Sequence, residues 1–191
     1  MNIIQHYMGA GILPICTKAG SIYVLLGQER YDNKWGDFGG SKVAGESYIT
    51  TALREGEEEL NGILGTGKYL SNLVKNNYLA TIHNGDNYNT FVFKIKYDNS
   101  LPMYFNNNNI FIEKNLKTIV ENSYHEHNGL FEKCKIKWFT LKEIQNDYTI
   151  FRPHFIPILK SIINNNYEFK TNIIELNTRK SITSNRVYRK N

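Results

Sequence analysis

The apolar positions of this chain fall in short bursts separated by polar turns, and their spacing predicts alternating strands and helices. Residues 9–16 form a near-continuous apolar run that predicts a core strand, with glycines that allow close backbone approach. A turn at 18–21 leads into a second strand over 22–27, rich in β-branched and aromatic residues. The glycine-rich stretch 35–40 reads as a compact turn segment. Over 48–60 the pattern changes: there is no proline, and Ile49, Ala52, Leu53, Gly56 and Leu60 recur at roughly helical spacing. Ser47 can cap the start of this helix, and Asn61-Gly62 can turn left-handed at its end.

Further along, 78–83 and 89–96 predict two strands joined by a polar turn around Asn84, Gly85 and Asp86. The segment 99–109 reads as an irregular connection, and 110–122 as a helix with Ile112, Leu116, Ile119 and Val120 on its apolar side. A strand over 135–139 precedes a short helix capped by Thr140. Phe151 to Ile163 then predicts the last core helix, with Pro153 near its first turn and Ile156, Leu159, Ile162 and Ile163 as its packing stripe.

Composition changes this picture little. The chain has 191 residues, enough for one substantial core without a second domain. No stretch has the continuous apolar length of a membrane span, and residues 1–6 lack the basic start and apolar core of a secretory signal, so the expectation is an intracellular protein, cytoplasmic or otherwise, without a membrane partner. Cys16 and Cys134 are too few for a disulfide scaffold and read as free thiols in strands. The formal charge of +5 favours anionic partners in general without selecting one. Asparagine is abundant, as in Asn106-Asn107-Asn108-Asn109, and suggests no chemical role.

The candidate chemistry lies in the helix over 48–60. Glu55, Glu58 and Glu59 stand at i, i+3 and i+4, so their carboxylates leave from neighbouring points of one face. Like charges this close repel, and a set directed into a pocket fits a hard divalent cation, magnesium or manganese. A solvated acidic helix face is the plainer reading of the same run. Two features weigh against it: a glycine-rich approach precedes the run, and the surrounding chain is basic. Arg54 adjoins the cluster and can orient a carboxylate through a bidentate contact. His125 and His127 flank Glu126, but alternate residues of an extended chain point apart, which disfavours a zinc pair.

From Gly40 to Gly62 the chain resembles the Nudix hydrolase signature, in which glycine, a glutamate and then Arg-Glu with a following Glu-Glu pair stand at fixed intervals. Gly40, Glu46, Arg54, Glu55, Glu58 and Glu59 all fall in register. Two positions depart from the pattern. Gly56 replaces a large aliphatic residue, which either weakens the helix by about 1 kcal/mol or makes room for a bulky neighbour. Asn61 replaces a glycine, with Gly62 one position late. Phe38 stands where many members have proline.

The resemblance implies an α/β/α sandwich with a mixed β-sheet, in a catalytic domain over 1–165 followed by a basic, partly ordered extension over 166–191. It implies Mg2+ or Mn2+ held by Glu55, Glu58 and Glu59, with Glu58 and Glu59 the foremost ligands and the Gly40 carbonyl completing the shell. It implies further that Arg54 fixes glutamate geometry, that Glu46 supports the loop, and that a distal glutamate, Glu126 or Glu132, serves as a base or second metal ligand. Arg30 and Trp35 resemble substrate contacts, against the plainer readings of a surface charge and a buried aromatic. The activity implied is hydrolysis of a nucleoside diphosphate derivative, foremost a noncanonical or damaged nucleoside triphosphate cleaved to monophosphate and pyrophosphate. Removal of an mRNA cap is the alternative, with RNA contacts through the basic surface and the tail that carries Lys170, Arg179, Lys180, Arg186, Arg189 and Lys190. A non-catalytic nucleotide- or RNA-binding module is a third reading, and a homodimer is left open.

Overall fold

The computed structural model describes residues 8–85, 87–126 and 130–188. Its central strand is β1 (Gly9–Lys18), buried along nearly its whole length, as the unbroken apolar run requires. One edge of β1 pairs antiparallel with both β2 (Ser21–Glu29) and β4 (Phe38–Ser41); the other pairs parallel with β6 (Tyr88–Lys94). The short β3 (Trp35–Gly36) and the longer β7 (Lys133–Thr140) pair with β2, and β5 (Tyr78–Asn84) pairs antiparallel with β6. Among the described residues the result is one mixed sheet of seven strands.

Alternate side chains of these strands feed two cores, one on each face. On the first, Ile12, Leu25, Phe38 and Phe93 pack beneath α1 (Tyr48–Glu59), α2 (Gly67–Asn76) and α3 (Ser100–Asn115), which is followed by α4 (Lys117–Glu126). On the second, Leu13, Val24, Val92 and Phe139 pack beneath α5 (Leu141–Asn146), α6 (Ile156–Asn164) and α7 (Asn166–Tyr188). Ile158, Leu159 and Ile162 of α6 are fully buried, each contributing about 1.5–3 kcal/mol through removal from water. The architecture is an α/β/α sandwich with a mixed sheet.

Local expectations fare unevenly. Ser47 caps α1 by accepting the Thr50 N–H, and Thr140 and Glu143 form a reciprocal capping box at α5. Residues 35–40 form strand pieces rather than a turn, because β4 completes the ladder beside the first half of β1. Pro153 opens a short 3-10 turn, Pro153–Phe155, and α6 starts after it. The stretch 99–109 is helical, not irregular. Asparagine is a poor helix former, yet here tertiary contacts override the propensity. Asn106 accepts the Ile136 N–H at 2.8 Å and donates to the Ile136 carbonyl at 3.3 Å, while Asn109 donates to the Lys133 carbonyl at 2.8 Å. The asparagine run therefore caps the open edge of β7.

The two departures in the acidic helix have structural reasons. Asn61 takes φ 49° and Gly62 φ 68°, so the left-handed exit spans both residues, and the Gly62 N–H bonds the Glu57 carbonyl at 2.9 Å. Asn61 also donates to Asn109 at 2.9 Å and accepts the Phe131 N–H at 3.3 Å, contacts that glycine cannot make. At Gly56, a Cβ would lie 2.5 Å from Ile12 Cγ1 and closer still to its Cδ1. The missing side chain lets α1 settle directly on β1. Gly56→Ala is accordingly expected to lower stability by about 1–2 kcal/mol, the overpacking strain outweighing the helix-propensity gain. Denaturant unfolding should show a smaller cost for the same change in an Ile12→Val background, and equal costs in both backgrounds would contradict the packing argument.

Candidate active site

The C-terminal half of α1 lies against β4, and its four glutamates point in different directions. Glu57 turns outward, accepting the Gly67 N–H at 2.5 Å, and so caps α2. Glu59 turns inward. It is buried, its Oε2 accepts the Gly39 N–H at 2.7 Å, and its Oε1 lies 3.1 Å from Lys133 Nζ. Glu55 and Glu58 stand between these extremes, with 12% and 28% of their side chains exposed against 3% for Glu59. A Cβ on Gly40 would fall 2.6–2.7 Å from the Glu55 carboxyl atoms, so this glycine gives the carboxylate its place against β4.

Arg54 organises the group. Its Nε and Nη2 grip the two oxygens of Glu46 at 3.0 and 3.3 Å, and Nη2 also donates to the Ser41 carbonyl at 3.1 Å. Its Nη1 lies 2.7 Å from Glu55 Oε1 and 3.3 Å from Glu58 Oε2. The hydrogen bonds from Arg54 and from the Thr51 hydroxyl hold the Glu46 carboxyl down to about 2. Those contacts in turn raise the Arg54 guanidinium above its ordinary value. Glu55 and Glu58 move the other way: burial raises both, against the opposing pull of Arg54.

Glu132, in the loop before β7, is near enough for its charge to add to the raised proton affinity of Glu55, Glu58 and Glu59. Glu126 ends α4, and its side chain lies outside the described residues, as do those of His125 and His127. The Gly40 carbonyl is turned toward Gly9, where β1 and β4 run side by side. Arg30 is engaged in the scaffold, donating to the Phe131 carbonyl at 3.0 Å and pairing with Glu113 of α3 at 3.0 Å. Trp35 is half-buried with its ring edge-on to Phe139 at 4.9 Å.

Carboxylate oxygens are the donors that a hard divalent cation requires. Among the described residues no three His, Cys, Asp or Glu side chains are placed so that together they could hold a metal ion. The position of Arg54 Nη1 nevertheless shows that one positive centre can reach Glu55 and Glu58 together. Each of these carboxylates keeps one oxygen without a hydrogen bond among the described residues. In donor chemistry and convergence the pair fits Mg2+ or Mn2+.

A cleft of about 360 Å3 opens beside Gly39 and Gly40, bordered by Tyr88, Asn84, Arg152 and His154. Although His154 is exposed, partial desolvation first, and then the neighbouring Arg152, hold its imidazole below its ordinary value. Neither this cleft nor the larger one, about 660 Å3 beside Tyr69, Tyr97 and Lys94, is lined by Glu55, Glu58 or Glu132, but the smaller adjoins the cluster through Gly40, which lies against the Glu55 carboxyl. Arg152, His154, Tyr88 and Lys133 escape the sequence reading, because the first two stand in what reads as a plain helix start and the others lie just ahead of the strands read over 89–96 and 135–139. A buried lysine opening a strand carries no local signal at all.

The chain matches no protein-family model and no curated protein. Among solved structures it is similar to a bifunctional NMN adenylyltransferase/ADP ribose pyrophosphatase from Francisella tularensis, at 14% identity and a TM-score of 0.53 over 83% of this chain and 40% of that one. The form of that enzyme complexed with AMP and Mn gives 16% identity and a TM-score of 0.52 over 83% and 41%. The Nudix hydrolase RenU of M. smegmatis gives 12% and 0.48 over 85% and 87%. At these identities the likeness is one of fold, an α/β/α sandwich with a mixed sheet. No helix among the described residues is long and apolar enough to cross a membrane.

The Glu46–Arg54 link has a pH signature. With its carboxyl held near 2 against an ordinary 4.5, Glu46 contributes stability that is complete above 4.5 and is lost as pH falls toward 2. Glu46→Gln is expected to melt lower than wild type near neutral pH and to show a flatter fall in melting temperature across that acid range. Parallel profiles for the two proteins would contradict the link.

Proposed function

We propose that the chain is a metal-dependent hydrolase of nucleoside diphosphate derivatives, foremost a nucleoside triphosphate pyrophosphohydrolase. The observation that carries the reading is the convergence of Glu55 and Glu58 on one positive centre, with Glu55 seated against Gly40 beside the cleft at Gly39–Gly40. Simple phosphate binding has no need for clustered carboxylates, whereas metal-assisted hydrolysis does. When bound, Mg2+ or Mn2+ neutralises diphosphate charge and makes a coordinated water more acidic.

Glu55 and Glu58 hold the ion in this reading, and Glu132 stands as the further carboxylate for a ligand or base role. Arg54 and Glu46 keep the carboxylates in place. Arg152, although paired with Glu29, and His154 line the cleft and are the residues proposed to meet the substrate's phosphates or base. Capped RNA is the second substrate class, favoured by α7, which carries Lys170, Arg179, Lys180 and Arg186 on one long helix.

A product-resolved assay tests the reading with nucleoside triphosphates, dinucleotide polyphosphates, nucleotide sugars and capped RNA in the presence of Mg2+ or Mn2+. Turnover of at least one class is expected, with Glu58→Gln reducing it by about 10²-fold or more while the melting temperature stays near that of wild type. Comparable turnover in that variant removes the proposed centre. Efficient cleavage of small nucleotides with no competition by RNA removes the capped-RNA reading.

A further inference from the structure

Lys133 is the most deeply buried cation described, with 1% of its side chain exposed. An unpaired ammonium at such a position costs several kcal/mol, so its partners decide whether the fold tolerates it. Nζ bonds Glu29 Oε1 and lies 3.1 Å from Glu59 Oε1. Glu29 Oε1 also takes Arg152 Nη1 at 2.7 Å. Glu59, Lys133, Glu29 and Arg152 thus form a chain of alternating charge from α1 through β7 and β2 to the segment before α6. Burial works against the Lys133 charge, but the carboxylates of Glu59 and Glu29 more than offset it and hold the ammonium above its ordinary value.

The stem of Lys133 has a seat of its own. A Cβ on Gly27 would fall 2.9 Å from Lys133 Cδ and 3.0 Å from Cγ, so the glycine of β2 leaves the channel that the lysine fills. Glu59 meanwhile has both oxygens committed within the protein, one to Lys133 and one to the Gly39 N–H. Glu55 and Glu58 each retain an oxygen without such a bond among the described residues.

We propose that Lys133 is a resident counter-cation that takes Glu59 out of the ion-binding set. Glu59 then serves as the strut fixing Gly39 to the end of α1, and a divalent cation is left to Glu55 and Glu58. Lys133 and Glu59 are positioning residues. The inference rests on the reading of the cluster as a cation site and divides the labour within it.

Titration of the full chain with Mn2+ by calorimetry, beside melting temperatures, tests the division. Glu58→Gln is expected to weaken Mn2+ binding by about tenfold or more with little change in melting. Glu59→Gln should lower the melting temperature and change Mn2+ affinity by less than about threefold. Lys133→Met should also melt lower, yet, by releasing the Glu59 carboxylate, bind Mn2+ about threefold tighter or take up a further equivalent. A merely structural lysine would not produce that gain, and adding Glu59→Gln to Lys133→Met should abolish it while recovering part of the melting temperature. If Lys133→Met does not fold, the Glu59→Gln arm decides alone. Loss of Mn2+ affinity in Glu59→Gln as severe as in Glu58→Gln overturns the division and leaves the cation-site reading standing. A wild-type chain that binds no Mn2+ overturns both.

Discussion

A charged group can be buried only where the protein supplies the opposite charge, and the interior of this molecule is arranged around that condition at Lys133. The ammonium needs Glu29 and Glu59; Glu29 also meets Arg152, and Glu59 also holds the Gly39 backbone. Five pieces of chain distant in sequence are thereby tied together: the end of α1, the end of β2, β4, the start of β7 and the segment before α6. Removing one member leaves the others buried and uncompensated, a loss of about 3–5 kcal/mol for a buried pair. This is a constraint on geometry more than a source of stability, since well-packed apolar residues can hold an interior equally well.

On the other side of α1 the same physics operates at the surface. There Arg54 is the shared cation, and its partners Glu46, Glu55 and Glu58 are partly reached by solvent. The helix therefore separates two electrostatic environments within one turn. Glu59 faces a sealed interior with a fixed ammonium, and Glu58 faces an open one with a guanidinium that touches several acceptors at once. Adjacent glutamates in the sequence thus have unequal access to anything arriving from solution.

Much of this is legible in the amino-acid sequence, and the boundary of legibility is physical. The strands β1, β2, β5 and β6, the capped helix α1 and the Arg54–Glu55–Glu58 grouping all follow from patterns within about a dozen residues, which is the range over which periodicity carries information. The pairing of Glu59 with Lys133 joins residues far apart in sequence, and no local pattern distinguishes a lysine that will be buried from one on the surface. Gly56 could be read as a defect or as a space, and only the position of Ile12 decides between them. The asparagine run misled for a related reason. Its propensity predicts an irregular segment, whereas Asn106 and Asn109 spend their amides on the backbone of another element. Arg30 and Trp35 show the converse: side chains that look free along the sequence meet Glu113 and Phe139 in the folded chain, while Arg30 Nη2 keeps no hydrogen bond among the described residues.

The asparagines over β7 also bear on how the molecule behaves among its own copies. Among the described residues β7 pairs with β2 alone, so its outer edge would present a row of unmet donors and acceptors, the feature through which sheets of separate chains join. Asn106 meets both backbone groups of Ile136, and Asn109 meets the Lys133 carbonyl, without offering a strand that a second sheet could extend. Colloidal behaviour and the seating of α3 are therefore one property. Loosening that helix would turn a closed border of the sheet into a sticky one and uncover Phe105 of the core in the same step.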